Sequence, residues 1–102
     1  MTATSLSRRL KARRKKFQTE VFTLDDGIEL RLRAPSINEL VAFSTGDLAV
    51  KARTLAGLVV LDDGTPYCST EARTNDFLEG VTAGELTRLD KFLAEKFAPK
   101  SS

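Results

Sequence analysis

The side chains best suited to chemistry in this chain are charged, and they are unevenly distributed. Seven basic side chains lie close together near the N-terminus: Arg8, Arg9, Lys11, Arg13, Arg14, Lys15 and Lys16. The rest of the chain has nine basic and fourteen acidic side chains, a net charge of about −5, although the whole chain carries +2. The sequence therefore predicts a cationic arm joined to an acidic body, and each part needs its own explanation.

Two acidic pairs and one cysteine are the other candidates for a reactive site. Asp25-Asp26 and Asp62-Asp63 each precede a glycine, and an Asp-Gly step is typical of a tight turn. Cys68 has no second cysteine to pair with, and the chain has no histidine to activate it as a nucleophile. No glycine-rich phosphate loop is present. We therefore expect a protein that is not an enzyme, with no catalytic residues, no metal site and no cofactor.

Length and composition indicate one small globular domain. The chain has 102 residues, 41% of them apolar, which fits a folded protein with one modest core. It has no apolar run long enough to cross a bilayer and no secretory signal, and a lone cysteine fits a reducing compartment. We expect a basic flexible arm over residues 1–16, which becomes helical when a partner neutralises it, a single α+β domain over 17–98, and a C-terminal tail over 99–102.

The body begins with a predicted β-hairpin. Residues 17–24 are rich in aromatic and β-branched side chains, and residues 28–33 alternate strictly between apolar and charged. Asp25-Asp26-Gly27 between them has the composition of a tight reversal, which favours an antiparallel pair. A two-stranded ribbon is only marginally stable in water, so we expect its apolar face to lie on helices.

Four helices are predicted after the hairpin, over about 37–43, 48–61, 70–78 and 83–97, because apolar residues recur there at helical spacing. Each follows a helix-capping residue or capping box: Ser36 with Glu39, Asp47, Ser69 or Thr70, and Thr82 with Glu85. The predicted fold class is α+β, with an N-terminal antiparallel β-hairpin packed on about four α-helices and preceded by the basic arm.

The second predicted helix has a wider apolar face than a helix packed on one side needs. Four of its residues are candidates for binding a partner: Leu55, Leu58, Val59 and Leu61. Either this helix is central and buried on two sides, or part of its surface is available to another protein. Gly57 in the interior of this helix lowers the stability of the helix by about 1 kcal/mol relative to alanine. We interpret this glycine as a position that another element approaches closely.

Three interpretations of the arm stay open: a solvated tail, a contact with an acidic protein, and binding to nucleic acid. Arginine-rich segments bind phosphates through a contact that weakens as salt rises. However, the arm has no aromatic residue before Phe17 to stack on a base. The acidic body would also repel a polyanion over roughly 8 Å at physiological salt. We therefore do not favour nucleic acid, although the sequence leaves it open.

Three segments resemble a known family. Residues 52–67 are similar to the central stretch of tail assembly chaperones from long-tailed bacteriophages and prophages, with an arginine-led apolar helix, an acidic Asp-Gly turn, a proline and an aromatic residue. Residues 32–40 resemble their strand leading into a capped helix, and residues 77–89 resemble their last two helices. The similarity spans about 17–97, and the family's small α+β fold agrees with the predicted order of elements. A basic arm is not a feature of every member.

The resemblance implies a chaperone that binds and solubilises the tape-measure protein and helps recruit major tail (tube) protein during tail morphogenesis. It implies action in the host cell cytoplasm, absence from the mature virion, and the four apolar residues of the matched helix as partner-binding candidates. A homo-oligomer is compatible with this role, and whether a longer frameshifted form exists cannot be read from the sequence. Two alternatives remain: a small nucleic-acid-associated protein that uses the arm, and a virion component such as a tail-completion protein.

Overall fold

The computed structural model describes residues 2–13 and 16–97. Arg14 and Lys15 of the predicted arm, and the predicted tail over 99–102, lie outside the described residues. The described elements follow in this order: α1 (Ala3–Arg13), β1 (Thr19–Thr23), β2 (Glu29–Arg33), α2 (Ile37–Thr45), α3 (Leu48–Leu58), β3 (Val59–Val60), α4 (Glu71–Gly80) and α5 (Ala83–Phe97). The predicted α+β class is confirmed. The described part of the chain has five helices where about four were expected.

Helix α1 lies within the segment predicted as an arm, so the hairpin is not the first element and that part of the prediction was wrong. The hydroxyl of Thr2 accepts a hydrogen bond from the Ser5 N–H at 3.1 Å, which caps the helix. Lys11 and Arg13 stand in the last turn, where a cation interacts favourably with the helix dipole. The cap and the good helix formers of this segment offset the repulsion between like charges.

Strands β1 and β2 form the predicted antiparallel hairpin, with Thr19 opposite Arg33 and Thr23 opposite Glu29. Gly27 in the turn has φ +93°, a conformation that favours glycine. Strand β3 pairs antiparallel with the other side of β2, giving the sheet order β1-β2-β3.

Strand β3 replaces the last turn of the helix predicted over 48–61, which ends at Leu58. Val59 and Val60 lie opposite Leu32 and Arg31 of β2 in the register of the sheet. Two successive β-branched residues fit a strand better than a helix, and the neighbouring strand supplies partners for their backbone.

The core lies between the sheet and the helices, and α3 is at its centre. It contains one group of buried side chains: Leu32, Leu55, Ala56, Leu58, Val59, Phe77, Leu89 and Leu93. Full burial of each leucine contributes roughly 1.5–3 kcal/mol. The rings of Phe22 in β1 and Phe92 in α5 meet edge to face with centroids 5.3 Å apart, which joins α5 to the sheet.

The predicted helix caps are confirmed by short local hydrogen bonds. Asp47 accepts from the Val50 N–H at 3.0 Å, and Thr70 accepts from the Arg73 N–H at 3.2 Å. Both capping boxes are present, with the hydroxyls of Ser36 and Thr82 accepting from the N–H three residues on.

A buried ion pair joins the end of β2 to α2 and α3. The guanidinium Nη1 and Nη2 of Arg33 donate to Oε1 and Oε2 of Glu39, each at 2.8 Å. Nη2 also donates to the Gly57 carbonyl of α3 at 3.2 Å, and Nη1 to the Ala34 carbonyl at 3.1 Å. The Ser36 N–H donates to Glu39 Oε1 at 2.8 Å. These bonds let both charges be buried in a fully paired state. We call this group the Arg33–Glu39 clamp.

The clamp also sets the ionisation of Glu39. Burial raises the pKa of this carboxyl, but the hydrogen bonds from Arg33 and Ser36 together with the Arg33 charge outweigh burial. The pKa of Glu39 therefore lies below its ordinary value of 4.5, and the carboxylate stays ionised at neutral pH.

Glu85 joins α5 to the turn of the hairpin. Its Oε1 accepts from the Thr82 N–H at 3.0 Å and its Oε2 from the Asp25 N–H at 3.0 Å. These two backbone hydrogen bonds lower the pKa of Glu85, that from Thr82 most strongly. Arg88 on the next turn lies 2.7 Å from the carboxylate of Asp25. The start of α5 is thus fixed to the sheet independently of the clamp.

Removing one partner of the clamp should destabilise the fold far more than removing both. We expect Glu39→Ala to cost about 3–5 kcal/mol, because it leaves Arg33 buried without a counter-charge. Arg33→Met combined with Glu39→Met should cost much less than the sum of the two single changes. Urea unfolding of the wild type, both single variants and the double variant measures this.

The same series has a pH signature. Because the folded-state pKa of Glu39 is depressed, its stabilisation is complete above the unfolded-state pKa and is lost as pH falls through the folded-state value. The stability gap between wild type and the Glu39→Ala variant should therefore narrow in acid. The result would contradict this account if the losses of stability in the two single variants add up to that of the double variant and the difference between wild type and Glu39→Ala does not change with pH. Arg33 and Glu39 would then not stabilise each other.

Gly57 should tolerate alanine, contrary to the interpretation that another element approaches it closely. A Cβ built on Gly57 meets only the Oε2 of Glu39, at 3.9 Å, an ordinary van der Waals contact. We expect Gly57→Ala to stabilise the protein by about 0.5–1 kcal/mol, since alanine is the better helix former. Gly27→Ala is the control and should destabilise, because φ at Gly27 is positive. Thermal unfolding compares the two variants. A Gly57→Ala variant less stable than the wild type would show that another element lies too close to Gly57 for a Cβ.

Candidate protein-docking surface

Two apolar grooves follow one face of α5. The first, about 480 Å³, is lined by Leu48, Ala49, Ala52, Phe77, Leu78, Val81, Thr82, Ala83 and Leu86. The second, about 220 Å³, is lined by Pro35, Leu40, Phe43, Asp90, Leu93, Ala94 and Phe97. The residues from α5 are three or four positions apart, so they share one face of that helix. We call the two grooves together the α5 trough.

The trough is long, apolar and open to solvent. Helix α5 has fifteen residues, and at 1.5 Å per residue it is roughly 22 Å long. Leu48 on the opposite wall is 63% exposed, and Ile37 and Val41 on the outer side of α2 are also exposed. Among the residues that line the trough, Asp90 is the single charged one. Exposed apolar side chains along a helical groove are typical of a surface that receives another polypeptide.

Small side chains explain why the trough is not filled. Ala49 and Ala52 of α3 stand on one wall, and Ala83 and Ala94 of α5 stand on the other. Helix α5 is attached to the fold through Leu89 and Leu93 in the core and Phe92 against the sheet. Larger residues of α5 also line the trough, and the alanines among them leave space that is not filled.

The residues predicted to bind a partner are mostly buried. Leu55 and Leu58 are 0% exposed and Val59 is also in the core, so they offer no surface to another protein in this structure. Helix α3 is therefore central and buried on two sides, which is the other of the two explanations that the sequence allowed for its wide apolar face. Only Leu61, which follows β3 and is 44% exposed, remains accessible among the four.

Sequence analysis did not identify the accessible apolar residues of α2 and α3. Ile37 and Leu48 are the first residues of their helices, directly after the caps Ser36 and Asp47. A residue in the first turn of a short helix projects beyond the part of the helix that packs on the body. The position directly after a cap was therefore the feature of the sequence that could have indicated exposure. Leu40, farther along α2, is 39% exposed and also lines the trough.

The basic residues of the arm are exposed where the structure describes them: Arg8, Arg9, Lys11, Arg13 and Lys16. Within residues 2–13 and 16–97, none of them forms a salt bridge with the acidic body. Arg13 places its guanidinium 6.0 Å from the centroid of the Phe17 ring. Arg14 and Lys15 lie outside the described residues.

The described part of the chain contains no group of three or more potential metal ligands. None of its helices combines the length and the apolar character needed to traverse a bilayer. Burial raises the pKa of the Cys68 thiol, whereas a nucleophilic cysteine needs a lowered pKa.

Comparisons with family models, with curated proteins and with solved structures find no match to this chain.

Aspartate at the two predicted leucines should separate core from surface. We expect Leu58→Asp to destabilise the protein by more than about 4 kcal/mol, because it buries a carboxylate without a partner. Leu61→Asp, the matched change at an exposed leucine, should change stability by less than about 0.5 kcal/mol. Circular dichroism with thermal unfolding distinguishes the two. A folded and stable Leu58→Asp variant would contradict the central position of α3.

Proposed function

We propose that this protein acts without catalysis, by covering the apolar face of a helical segment of another polypeptide in the α5 trough. The observation that carries the proposal is the trough itself: an open apolar groove that follows α5 and has one charged lining residue, Asp90. An amphipathic helix placed there would bury its apolar stripe and keep its polar face in water.

The resemblance to tail assembly chaperones supplies a specific partner. A tape-measure protein is long, helical and amphipathic, and it needs its apolar stripe covered until tail-tube subunits enclose it. We propose that the protein keeps it soluble in the host cell cytoplasm, helps recruit the major tail protein, and is left out of the mature virion. In this proposal the accessible trough residues Leu48 and Leu40 replace Leu55, Leu58, Val59 and Leu61, the partner-binding residues predicted from the sequence.

Nucleic-acid binding is the second candidate, and a separate observation favours it. The described basic side chains of α1 are exposed and make no salt bridge to the body within residues 2–13 and 16–97. Such a helix can contact phosphates at low salt. Under this alternative the protein shifts DNA or RNA, and deleting residues 1–16 removes the shift.

Co-expression tests the chaperone proposal directly. The protein is produced together with the tape-measure protein encoded in the same genome, and the soluble tape-measure protein is quantified. Leu48→Asp combined with Ala94→Asp places a charge in each half of the trough at an exposed position. We expect this variant to raise the dissociation constant for the tape-measure protein at least about tenfold, a loss of about 1.4 kcal/mol of binding free energy, and so to lower its soluble fraction.

Leu61→Asp is the matched control, because it adds the same charge at an exposed leucine outside the trough. It should keep full solubilising activity, and so should a chain that lacks residues 1–16. The proposal would be contradicted if the double aspartate variant still solubilised the tape-measure protein. It would also be contradicted if only the deletion of residues 1–16 abolished solubilisation. Finding the chain in purified particles would support the virion-component alternative instead.

A further inference from the structure

A third groove lies near the turn end of the sheet and shares two lining residues, Phe77 and Val81, with the α5 trough. It has a volume of about 340 Å³, and its apolar lining includes Ile28, Leu30, Leu61 and Phe77. Ile28 is 54% exposed and Leu61 is 44% exposed, so water reaches both.

Acidic side chains surround this groove. Glu29 and Asp76 are among its lining residues, and Asp62 lies on the adjoining surface beside Leu61. Arg31 is the basic residue here, and it already donates to the Thr19 hydroxyl at 3.3 Å and lies 3.9 Å from the Asp62 carboxylate. We call this surface the acidic groove, since its net charge favours a cationic ligand.

Helix α1 has the complementary properties. Leu6 and Leu10 are one helical turn apart and share a face, and they are 47% and 50% exposed. Arg9 and Arg13 lie beside this leucine pair on the helix surface, because Arg9 follows Leu6 by three residues and Arg13 follows Leu10 by three. No residue of α1 is buried against the body. The helix therefore presents an apolar stripe edged with positive charge, and no part of the chain within residues 2–13 and 16–97 buries this stripe.

Charge selects the acidic groove over the α5 trough as the site for such a helix. The trough has one charged residue in its lining, Asp90, whereas three carboxylates surround the acidic groove. A leucine pair fits either surface, but arginines at its edge find three carboxylates around the acidic groove and one in the trough.

Topology favours the groove of a second copy. The arm enters the sheet at Thr19, which lies opposite Arg33 at the end of the hairpin far from the turn. The groove lies near the turn and on the β3 side of β2, whereas β1 is on the other side. The arm and the acidic groove of one chain are thus at diagonally opposite corners of the sheet.

We propose that α1 of one copy binds in the acidic groove of a second copy, with Leu6 and Leu10 against Ile28 and Leu61. Reciprocal exchange of the two arms closes a dimer, because each chain offers one arm and one groove. This contact does not depend on the proposed function, since it uses neither Leu48 nor Ala94 of the trough.

Sedimentation of the full chain at about 5–500 µM tests whether it associates. We expect the mass to rise from monomer toward dimer and the dissociation constant to increase at least about tenfold from roughly 0.05 M to 0.5 M NaCl.

Glu29→Lys with Asp62→Lys in the groove should weaken association at least about tenfold. Arg9→Glu with Arg13→Glu in the arm should do the same, and mixing the two variants should restore association. Glu71→Lys with Glu95→Lys, a matched reversal outside the groove, should leave it unchanged.

Cysteine cross-linking identifies which arm occupies which groove. In a Cys68→Ser background, a tagged Leu10→Cys chain is mixed with an untagged Leu61→Cys chain under oxidising conditions. A disulfide-linked heterodimer is the expected product. A monomer at every concentration overturns the proposal, as does association that the arm and groove variants leave intact. A Leu10→Cys/Leu61→Cys chain that cross-links only within itself shows a groove filled by its own arm and also overturns it. The proposal is also overturned if the arm variants associate as the wild type does and lose only the ability to shift DNA or RNA.

Discussion

The Arg33–Glu39 clamp is the constraint on which the rest of the fold depends. One guanidinium contacts the carboxylate that caps α2 and the carbonyl of Gly57 near the end of α3, so three elements meet at the last residue of β2. The interaction is favourable only because every charged atom involved finds a partner, since an incomplete clamp would leave a charge buried. It fixes α2 and α3 on one side of the body, while Glu85 fixes the start of α5 to the hairpin. The α5 trough lies between α5 and the facing residues of α2, α3 and α4, where alanines leave space.

Local interactions could be read from the sequence, and contacts between distant segments could not. The capping boxes at Ser36 and Thr82 join residues three apart, and the composition of each cap was sufficient to place it. The hairpin was equally local. In contrast, Val59 and Val60 become a strand because β2 lies beside them, and a helix-like spacing of leucines gave no sign of this. The link from Arg33 to Gly57 spans 24 positions. An alternating strand pattern cannot show that one of its polar residues faces inward.

The candidate site shows the same division. Leu55 and Leu58 were correctly recognised as part of an unusually wide apolar face, but only packing decides whether such a face is core or surface. The chain instead exposes apolar side chains where its helices begin and where alanines leave space. Charge separates these surfaces into two kinds, a nearly uncharged trough along α5 and an acidic groove at the turn end of the sheet. A small domain with two distinct apolar surfaces and a basic amphipathic helix is suited to assembling with other chains.

Hydrogen–deuterium exchange tests the central claim, the proposal that the α5 trough holds a helical segment of another polypeptide. The exchange is compared with and without the proposed partner, a tape-measure protein encoded in the same genome. The two walls of the trough can be followed as separate peptides, one over 48–52 and one over 83–97. We expect both to gain protection on binding, while the turn over 61–66 and the described part of α1 stay unchanged. Protection confined to α1, or no protection at either wall, would contradict this account.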